Sequence, residues 1–320
     1  MFIKLRINVD DVADNRAAFV NEGILQHLPV MVKEVTAFLE PEQGDVVVDA
    51  TIGCGGHARP ILEKIRPAGH LIGIDRDQQA IGYARENLKE FKEFLSLANE
   101  NFKDLGPVLE KLDIKKINGI LFDLGVSSLQ LDTRERGFSI KYDAPLDMRM
   151  DTRQKISAFE LVNNLPQEEL SRILKIYGEE RHHARIARTI AQHRAKNPIS
   201  TTRELAEIVI KAQPPHRFHR IHPATRTFQA LRIEVNNELG SIEAALNGCV
   251  KFLSPGARIC VLTYHSLEDR IAKRFIKGME GEGVLRRLIK KPLRPSQGEL
   301  AMNPRARSAK LRVAEKNGAI

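Results

Sequence analysis

The fold is decided by residues 46–57, which read Val46-Val47-Val48-Asp49-Ala50-Thr51-Ile52-Gly53-Cys54-Gly55-Gly56-His57. The first half is a short apolar run with β-branched residues, which is typical of a buried β-strand. The second half holds three glycines, which permit positive φ angles and let a ligand approach the backbone closely. Residues 58–64 can form a helix whose first N–H groups attract anionic or polar groups. The stretch therefore predicts a strand, a ligand-binding glycine loop and a helix.

The same alternation continues towards the C-terminus. Further strands are predicted at residues 70–75, 94–98 and 117–124, with helices at residues 77–94 and 103–112 between them. Near-continuous apolar strands that alternate with helices indicate a parallel sheet covered on both faces. We therefore predict the α/β class.

The alternation stops after the fourth strand and returns about a hundred residues later. Residues 130–225 contain no convincing strand pattern but do contain helical periods, and Thr201 with Glu204 predicts a capping box. We predict that this stretch is a helical insertion. After it we predict a long helix, a turn, a fifth strand, a helix and two last strands, at residues 225–252, 255–256, 257–264, 267–277, 284–289 and 308–314.

Composition excludes several classes of protein. With 42% hydrophobic and 28% charged residues among 320, the chain can bury a sizeable core and is not disordered. No apolar run approaches the roughly 18–20 residues that a membrane span needs, and the N-terminus resembles no secretory or transit peptide. Cys54, Cys249 and Cys260 lack the spacing of a disulfide framework or a zinc site. We expect a cytoplasmic protein that contains no metal; nothing in the sequence indicates an oligomeric state.

The chain is basic as a whole, with a formal net charge of +9 and a pI near 9.5. Residues 181–232 hold 11 basic and 2 acidic residues, residues 251–320 hold 16 and 6, and the remainder carries a net charge of −10. Two basic blocks on an acidic remainder are typical of a surface for nucleic acid. Solvated helix faces are the alternative explanation.

Two acidic residues lie where a ligand at the glycine loop would meet them. Asp75 ends the second strand, 22 residues after Gly53, and an acid at about this distance can hold ribose hydroxyls. Asp123 ends the fourth strand and would face the same crevice, because ligands bind beyond the carboxyl ends of parallel strands. We predict a cofactor that carries a nucleoside; a structural tight turn is the alternative.

Histidines cluster at His182-His183 and at His216, His219 and His222. Transition-metal sites bring carboxylate or Cys partners at defined spacing, and the neighbouring Arg217 and Arg220 would repel a cation. We therefore expect RNA contact or helix packing here, and no metal.

A set of longer motifs resembles the RsmH (MraW) family of S-adenosylmethionine-dependent rRNA methyltransferases. The motifs run in order from about His27 to the C-terminus, so the resemblance covers nearly the whole chain. They are residues 27–31, 49–57, 123–132, 136–139, 145–151, 177–180, 222–232 and 264–270.

The resemblance implies a class I, Rossmann-like methyltransferase sheet with an inserted all-helical domain. It divides the chain into a first methyltransferase part at 1–129, a helical insertion for substrate recognition at 130–225, and a second methyltransferase part at 226–320. It implies methylation of the exocyclic N4 amine of a cytidine at the decoding centre (P site) of 16S rRNA, with S-adenosylmethionine as cofactor and the small ribosomal subunit as partner.

The resemblance also implies which residues bind the cofactor. Gly55, Gly56 and His57 would hold it through backbone contacts, Asp75 would bind its ribose, and Phe102 would pack on its adenine. Asp123 and Gln130 would complete the site.

We further predict that Asp123 accepts an N–H of the target amine, because a cytosine amine is a poor nucleophile until one of its protons is drawn away. RNA would then be held by phosphate contacts that set its register. The candidate RNA ligands are Arg181, Arg185, Arg188, Arg217, Arg220, His265, Ser266, Arg305 and Arg307. For His265 and Ser266 a helix N-cap is the alternative.

Three other functions share these features. A nicotinamide oxidoreductase uses the same strand, glycine loop, helix and acid, although it gives no reason for the basic blocks. A non-catalytic RNA-binding module would need a damaged cofactor loop. A related methyltransferase acting on another RNA or on DNA is the remaining alternative, because charge does not separate the two nucleic acids.

Overall fold

The computed structural model describes residues 28–214 and 221–318. Arg217 and Arg220, two of the candidate RNA ligands, lie outside the described residues, as do His216 and His219.

A single sheet of seven strands forms the centre of the molecule. Its order is β3-β2-β1-β4-β5-β7-β6; β1 to β5 run parallel, and β7 runs antiparallel to both of its neighbours. The α/β prediction is confirmed. The strands are β1 (Val46–Asp49), β2 (His70–Ile74), β3 (Leu95–Ala98), β4 (Ile117–Asp123), β5 (Leu253–Thr263), β6 (Leu285–Arg287) and β7 (Lys310–Lys316).

Helices cover both faces of the sheet. The first three are α1 (Val32–Leu39), α2 (Ala58–Ile65) and α3 (Gln78–Asn87), and they pack with Val47 of β1. The opposite face carries Val48, and it is covered by α4 (Leu105–Lys111), α11 (Glu238–Cys249) and α12 (Ser266–Gly281). Successive side chains of a strand point to opposite faces, so the apolar run at β1 supplies both cores.

The remaining helices lie mostly between β4 and β5. They are α5 (Ser128–Asp132), α6 (Ala158–Asn164), α7 (Gln167–Gly178), α8 (His183–Arg194), α9 (Thr202–Ala212) and α10 (Thr225–Asn236), with α13 (Gln297–Met302) near the C-terminus. Helices α6 to α10 enclose a separate apolar core that runs from Phe138 to Val235. The predicted capping box at Thr201 and Glu204 is confirmed. The three-part division at 129/130 and 225/226 stays a prediction.

Two helix predictions were wrong in extent. The predicted helix at 77–94 ends at Asn87, where Leu88 leaves the helical conformation (φ −114°, ψ 19°); a 3₁₀ helix follows at Lys89–Phe94. The predicted helix at 225–252 is broken at Asn237, whose left-handed conformation (φ 43°) separates α10 from α11. Asn adopts this conformation more readily than most residues.

The turn predicted at Pro255-Gly256 was also wrong, since both residues lie within β5. Gly256 has a φ of 81°, and the pairing with β4 shifts between Leu253 and Arg258. An irregularity of this kind lets a strand continue through residues that otherwise end it.

In the part of the chain that the structure describes, no helix combines the length and apolarity needed to cross a membrane.

Gly137 tests how tightly the segment after α5 is packed. Its φ is +68°, and a Cβ there would lie 2.2 Å from the carbonyl oxygen of Pro145, which is backbone and cannot move aside. Strain in φ and overpacking add, so we expect Gly137→Ala to lower the free energy of unfolding by about 3 kcal/mol. Urea unfolding measures this.

The matched control is Gly283→Ala, because Gly283 also has positive φ (+72°) but has open space around it. We expect a loss of about 1 kcal/mol from the backbone strain alone. Equal losses in the two variants would show that the segment yields to accommodate the methyl group.

Candidate active site

The carboxyl ends of β1, β2, β4 and β5 meet at one edge of the sheet, the place of the predicted crevice. Asp49 ends β1, Asp75 follows β2, Asp123 ends β4 and Tyr264 follows β5. Strand order explains this meeting, because β2, β1, β4 and β5 are consecutive neighbours that run in the same direction.

The glycine loop is joined to Asp75 by a hydrogen bond. The N–H of Gly53 donates to Oδ2 of Asp75 at 3.0 Å, and the N–H of Asp77 donates to Oδ1 at 2.9 Å. Burial raises the pKa of Asp75 to about 6, and these two donors lower it again in part. Asp75 therefore sits at the predicted place beside the loop, with lone pairs left for further donors.

The neighbouring glycines are required by the chain's own packing. A Cβ on Gly55 would lie 2.8 Å from Leu88, and one on Gly56 would lie 2.8 Å from Pro29. A Cβ on Gly53, in contrast, would have only one atom within 4 Å. The loop is thus held close against the residues before α1, with open space at Gly53.

His57 is buried beneath the crevice. Its Nε2 lies 2.9 Å from the carbonyl oxygen of Val30, and its Nδ1 lies 3.6 Å from Oδ2 of Asp123. The imidazole thereby connects the residues before α1 to the end of β4.

Asp123 is held from two further directions. Its backbone N–H donates to Oγ1 of Thr51 at 2.7 Å, and the hydroxyl of Tyr264 donates to its Oδ1 at 2.6 Å. Burial raises the pKa of Asp123, whereas His57 and the Tyr264 hydroxyl lower it. Burial and the neighbouring Asp123 raise the pKa of Tyr264 well above its usual value. The tyrosine is therefore a donor here, and it orients the carboxylate.

Asp49 is a residue of this site that our prediction of the site omitted. Its side chain is buried, accepts the N–H of Thr51 at 3.2 Å, and has a pKa raised to about 7 by burial, with the nearby His57 lowering it in part. Its position directly before the glycine loop could have identified it. Three carboxylates thus lie close enough to act on one another, the buried Asp49 and the half-buried Asp75 and Asp123. Such a group favours a cationic ligand.

Phe102 begins a short 3₁₀ helix after β3 and is half-buried. Its ring meets Phe122 edge to face, with centroids 6.2 Å apart, and the guanidinium of Arg76 lies 5.3 Å from its centroid. Beside it lies a polar cavity of about 280 Å³. The cavity is lined by residues of four segments, among them Arg76, Asn101, Asp151, Arg153, Asn236 and Ser241.

Gln130 is buried and engaged by the chain itself. Its Oε1 accepts the N–H of Ser127, and its Nε2 donates to Oδ2 of Asp77 at 3.0 Å. Arg136 pairs with the same carboxylate at 2.9 Å. These contacts bring α5 to Asp77 at the start of α3, two residues after Asp75. The contact between Gln130 and the cofactor stays a prediction.

The candidate RNA-binding arginines within the described residues fall into two groups. Arg181, Arg185 and Arg188 are exposed on or next to α8. This helix belongs to the group α6 to α10, which we call the helical part. Arg305 and Arg307 are exposed on the 3₁₀ helix Pro304–Ser308, where Arg305 pairs with Asp132 of α5 at 2.6 Å.

His265 and Ser266 follow Tyr264 and begin α12. His265 is the N-cap, the alternative that the sequence left open, and its ring accepts the N–H of Glu268. Ser266 is exposed and donates to Glu179, the residue directly after α7, at 3.0 Å. The turn after β5 therefore contacts the helical part directly, and a role for these two residues in a base pocket stays a prediction.

Glu238, His265 and Glu268 form a group of ligand-type atoms within 4.8 Å of one another. Arg232 occupies this group, because its guanidinium pairs with both oxygens of Glu238 at 2.7 and 2.9 Å and lies 3.4 Å from His265 Nε2. The Arg232 cation therefore neutralises one of the two carboxylates, and we propose no metal site here.

Asp49 predicts a measurable pH dependence of stability. Its folded-state pKa of about 7 lies above the ordinary 3.8, so the folded protein holds the extra proton and loses stability as pH rises from about 4 to about 7. Asp49→Asn removes this loss. In the protein without cofactor, we expect Asp49→Asn to stabilise by about 2 kcal/mol more at pH 8 than at pH 5.5, measured by urea unfolding.

The exposed Glu100 provides the control, and we expect Glu100→Gln to change stability equally at both pH values. A stability difference for Asp49→Asn that does not change with pH would contradict a buried, proton-holding Asp49.

Three curated relatives of this chain share one name. "Ribosomal RNA small subunit methyltransferase H" of Syntrophotalea carbinolica is 49% identical over 306 residues, covering 91% of this chain and 98% of that protein. The protein of the same name from Sulfurihydrogenibium sp. is 48% identical over 294 residues, covering 92% and 100%. That of Clostridioides difficile is 44% identical over 306 residues, covering 91% and 98%.

A family model agrees with these relatives. The model described as "MraW methylase family" matches residues 24–317, which include every described element of the sheet and of the crevice. The resemblance found in the motifs is confirmed, and the chain belongs to the MraW methylase family.

Proposed function

We propose that this protein methylates the exocyclic N4 amine of a cytidine at the decoding centre (P site) of 16S rRNA, in the cytoplasm. The coarser activity follows from family membership: the chain is an S-adenosylmethionine-dependent rRNA methyltransferase. One observation supports the finer proposal. The carboxylate of Asp123 stands, partly exposed, at the end of β4 beside the glycine loop, where an amine can meet it.

The residues of the crevice fit S-adenosylmethionine. When bound, this cofactor supplies a methyl group on a positively charged sulfur. The carboxylates of Asp49, Asp75 and Asp123 provide negative surroundings for that charge. Asp75 would bind the ribose and Phe102 the adenine. The backbones of Gly55, Gly56 and His57, together with Gln130, would complete the contacts.

Asp123 would do two things to the target amine. By accepting one N–H it would fix the nitrogen in line with the methyl donor, which lowers the entropic part of the barrier. The same contact draws electron density onto the nitrogen and receives the proton after transfer. Tyr264 holds Oδ1 of the carboxylate at 2.6 Å, so Oδ2 is the oxygen that meets the amine.

The target base must leave its stack to reach the crevice. Phosphate contacts would come from Arg181, Arg185 and Arg188 on one side and from Arg305 and Arg307 on the other. The structure adds two further exposed arginines near the β5–α12 turn. Arg226 donates to the carbonyl of Glu179, and Arg270 pairs with its carboxylate at 2.9 Å.

The nicotinamide alternative is set aside, because the chain belongs to a methylase family. A methyltransferase acting on another RNA or on DNA differs from the proposal only in its substrate. Mapping of the methylated nucleotide separates the two.

The proposal predicts the loss of one modification. In cells that lack this protein, we expect N4-methylation to disappear from a single cytidine at the decoding centre of 16S rRNA, and to return when the protein is supplied. Nuclease digestion with mass spectrometry of the rRNA measures this. An unchanged set of rRNA methyl groups would contradict the proposal.

The role of Asp123 predicts a separation of binding from chemistry. Asp123→Asn keeps the size of the side chain but removes the charge and the proton acceptor. We expect the single-turnover rate of methylation to fall at least 100-fold, the range of general base catalysis, with affinity for S-adenosylhomocysteine within about threefold of wild type by calorimetry.

Asp113→Asn is the control, because Asp113 is exposed and precedes β4 at the opposite end of the strand. It should leave both quantities unchanged. Full single-turnover methylation by Asp123→Asn with normal cofactor binding would exclude the acceptor role.

A further inference from the structure

We propose that His57 is the residue that finally holds the proton removed from the target amine, receiving it through Asp123. The inference rests on the proposed function for the identity of the amine. It assigns to the His57 side chain a task distinct from the backbone contacts predicted for the glycine loop.

The hydrogen bond to Val30 determines which ring nitrogen of His57 carries the hydrogen. A carbonyl oxygen only accepts, so the contact of 2.9 Å requires an N–H on Nε2. In the neutral ring Nδ1 is then a bare acceptor. Burial of His57, which is 5% exposed, holds the ring in this orientation.

The bare Nδ1 faces a second acceptor. Oδ2 of Asp123 lies 3.6 Å away, and the other oxygen of that carboxylate is taken by the hydroxyl of Tyr264. Two acceptors that face each other repel until one proton enters between them, after which they attract. The pair is therefore built to gain one proton, and methylation of an amine releases one.

The exposure of the two side chains determines which of them receives the proton first. The Asp123 side chain is 23% exposed, whereas that of His57 is 6% exposed and lies behind it. An incoming amine can touch Asp123 but not His57, so the proton must pass through the carboxylate.

Negatively charged groups lie near His57. Three carboxylates act on it electrostatically: Asp49 at the end of β1, Asp123 at the end of β4 and Glu299 on α13. Glu299 also accepts the N–H of Met31, next to Val30, at 2.6 Å. Carboxylates from three elements of the fold therefore lie within electrostatic reach of the ring.

The charges balance over the reaction. The amine nitrogen bonds to the methyl carbon, the carbon–sulfur bond breaks, and its electron pair stays on sulfur. The nitrogen, now positive, gives one proton to Oδ2 of Asp123, which passes it to Nδ1 of His57. The positive charge on the cofactor sulfur is thus replaced by the positive charge of the His57 ring. The ring returns its proton to water when the products leave.

His57→Gln is the sharpest test, because the Gln amide nitrogen can replace Nε2 as donor to Val30 while nothing replaces Nδ1. We expect the single-turnover rate on small-subunit rRNA to fall about 10- to 100-fold, with S-adenosylhomocysteine binding within about threefold of wild type. His70→Gln is the matched control, since His70 also makes one ring hydrogen bond (to Ser96) but starts β2 at the far end of the sheet. We expect no change there.

Nitrogen-15 NMR of the wild-type histidines provides a readout that needs no RNA. We expect the signal that His57→Gln removes to show a hydrogen on Nε2 and none on Nδ1. A hydrogen on Nδ1 in the neutral ring would overturn the inference, as would a wild-type rate in His57→Gln. Wild-type protein that forms no N4-methylcytidine would instead refute the proposed function, while the NMR result would still decide the tautomer.

Discussion

The carboxylate of Asp123, held between His57 and Tyr264, is the interaction on which the site depends. The three residues follow three consecutive strands of the sheet, β1, β4 and β5, and they meet only because these strands run in parallel. A change in strand order would separate them. The topology of the sheet therefore shapes the chemistry of the site. It brings the Asp123 carboxylate, the Tyr264 hydroxyl that orients it and the His57 ring to one edge.

Electrostatics impose the second constraint. Asp49, Asp75 and Asp123 are carboxylates whose pKa values are raised by burial, and such groups destabilise a fold when they are ionised. Their cost is offset when a cation enters, as the cofactor of a methylase does. A site of this kind is less stable empty than occupied, and its residues are explained by the ligand rather than by the fold.

The sheet was predictable because each strand carries its own local pattern of apolar residues between glycines and helices. Asp75 and Asp123 were predictable for the same reason, as strand ends. The hydrogen bond from Tyr264 to Asp123 joins residues 141 positions apart, and no local pattern encodes such a contact. The break at Asn237 was missed because the apolar period continues across it, while a single residue changes conformation.

The turn between β5 and α12 explains how the helical part and the chemistry are connected. Tyr264 at its start reaches Asp123, and the backbone N–H of Tyr264 is fixed by Glu268 at 2.7 Å. Glu179, directly after α7, accepts hydrogen bonds from Ser266 and Arg270 at the start of α12. If RNA binds the helical part, as we propose, it would act on a segment that is joined through Glu179 to Ser266, two residues after the orienting tyrosine.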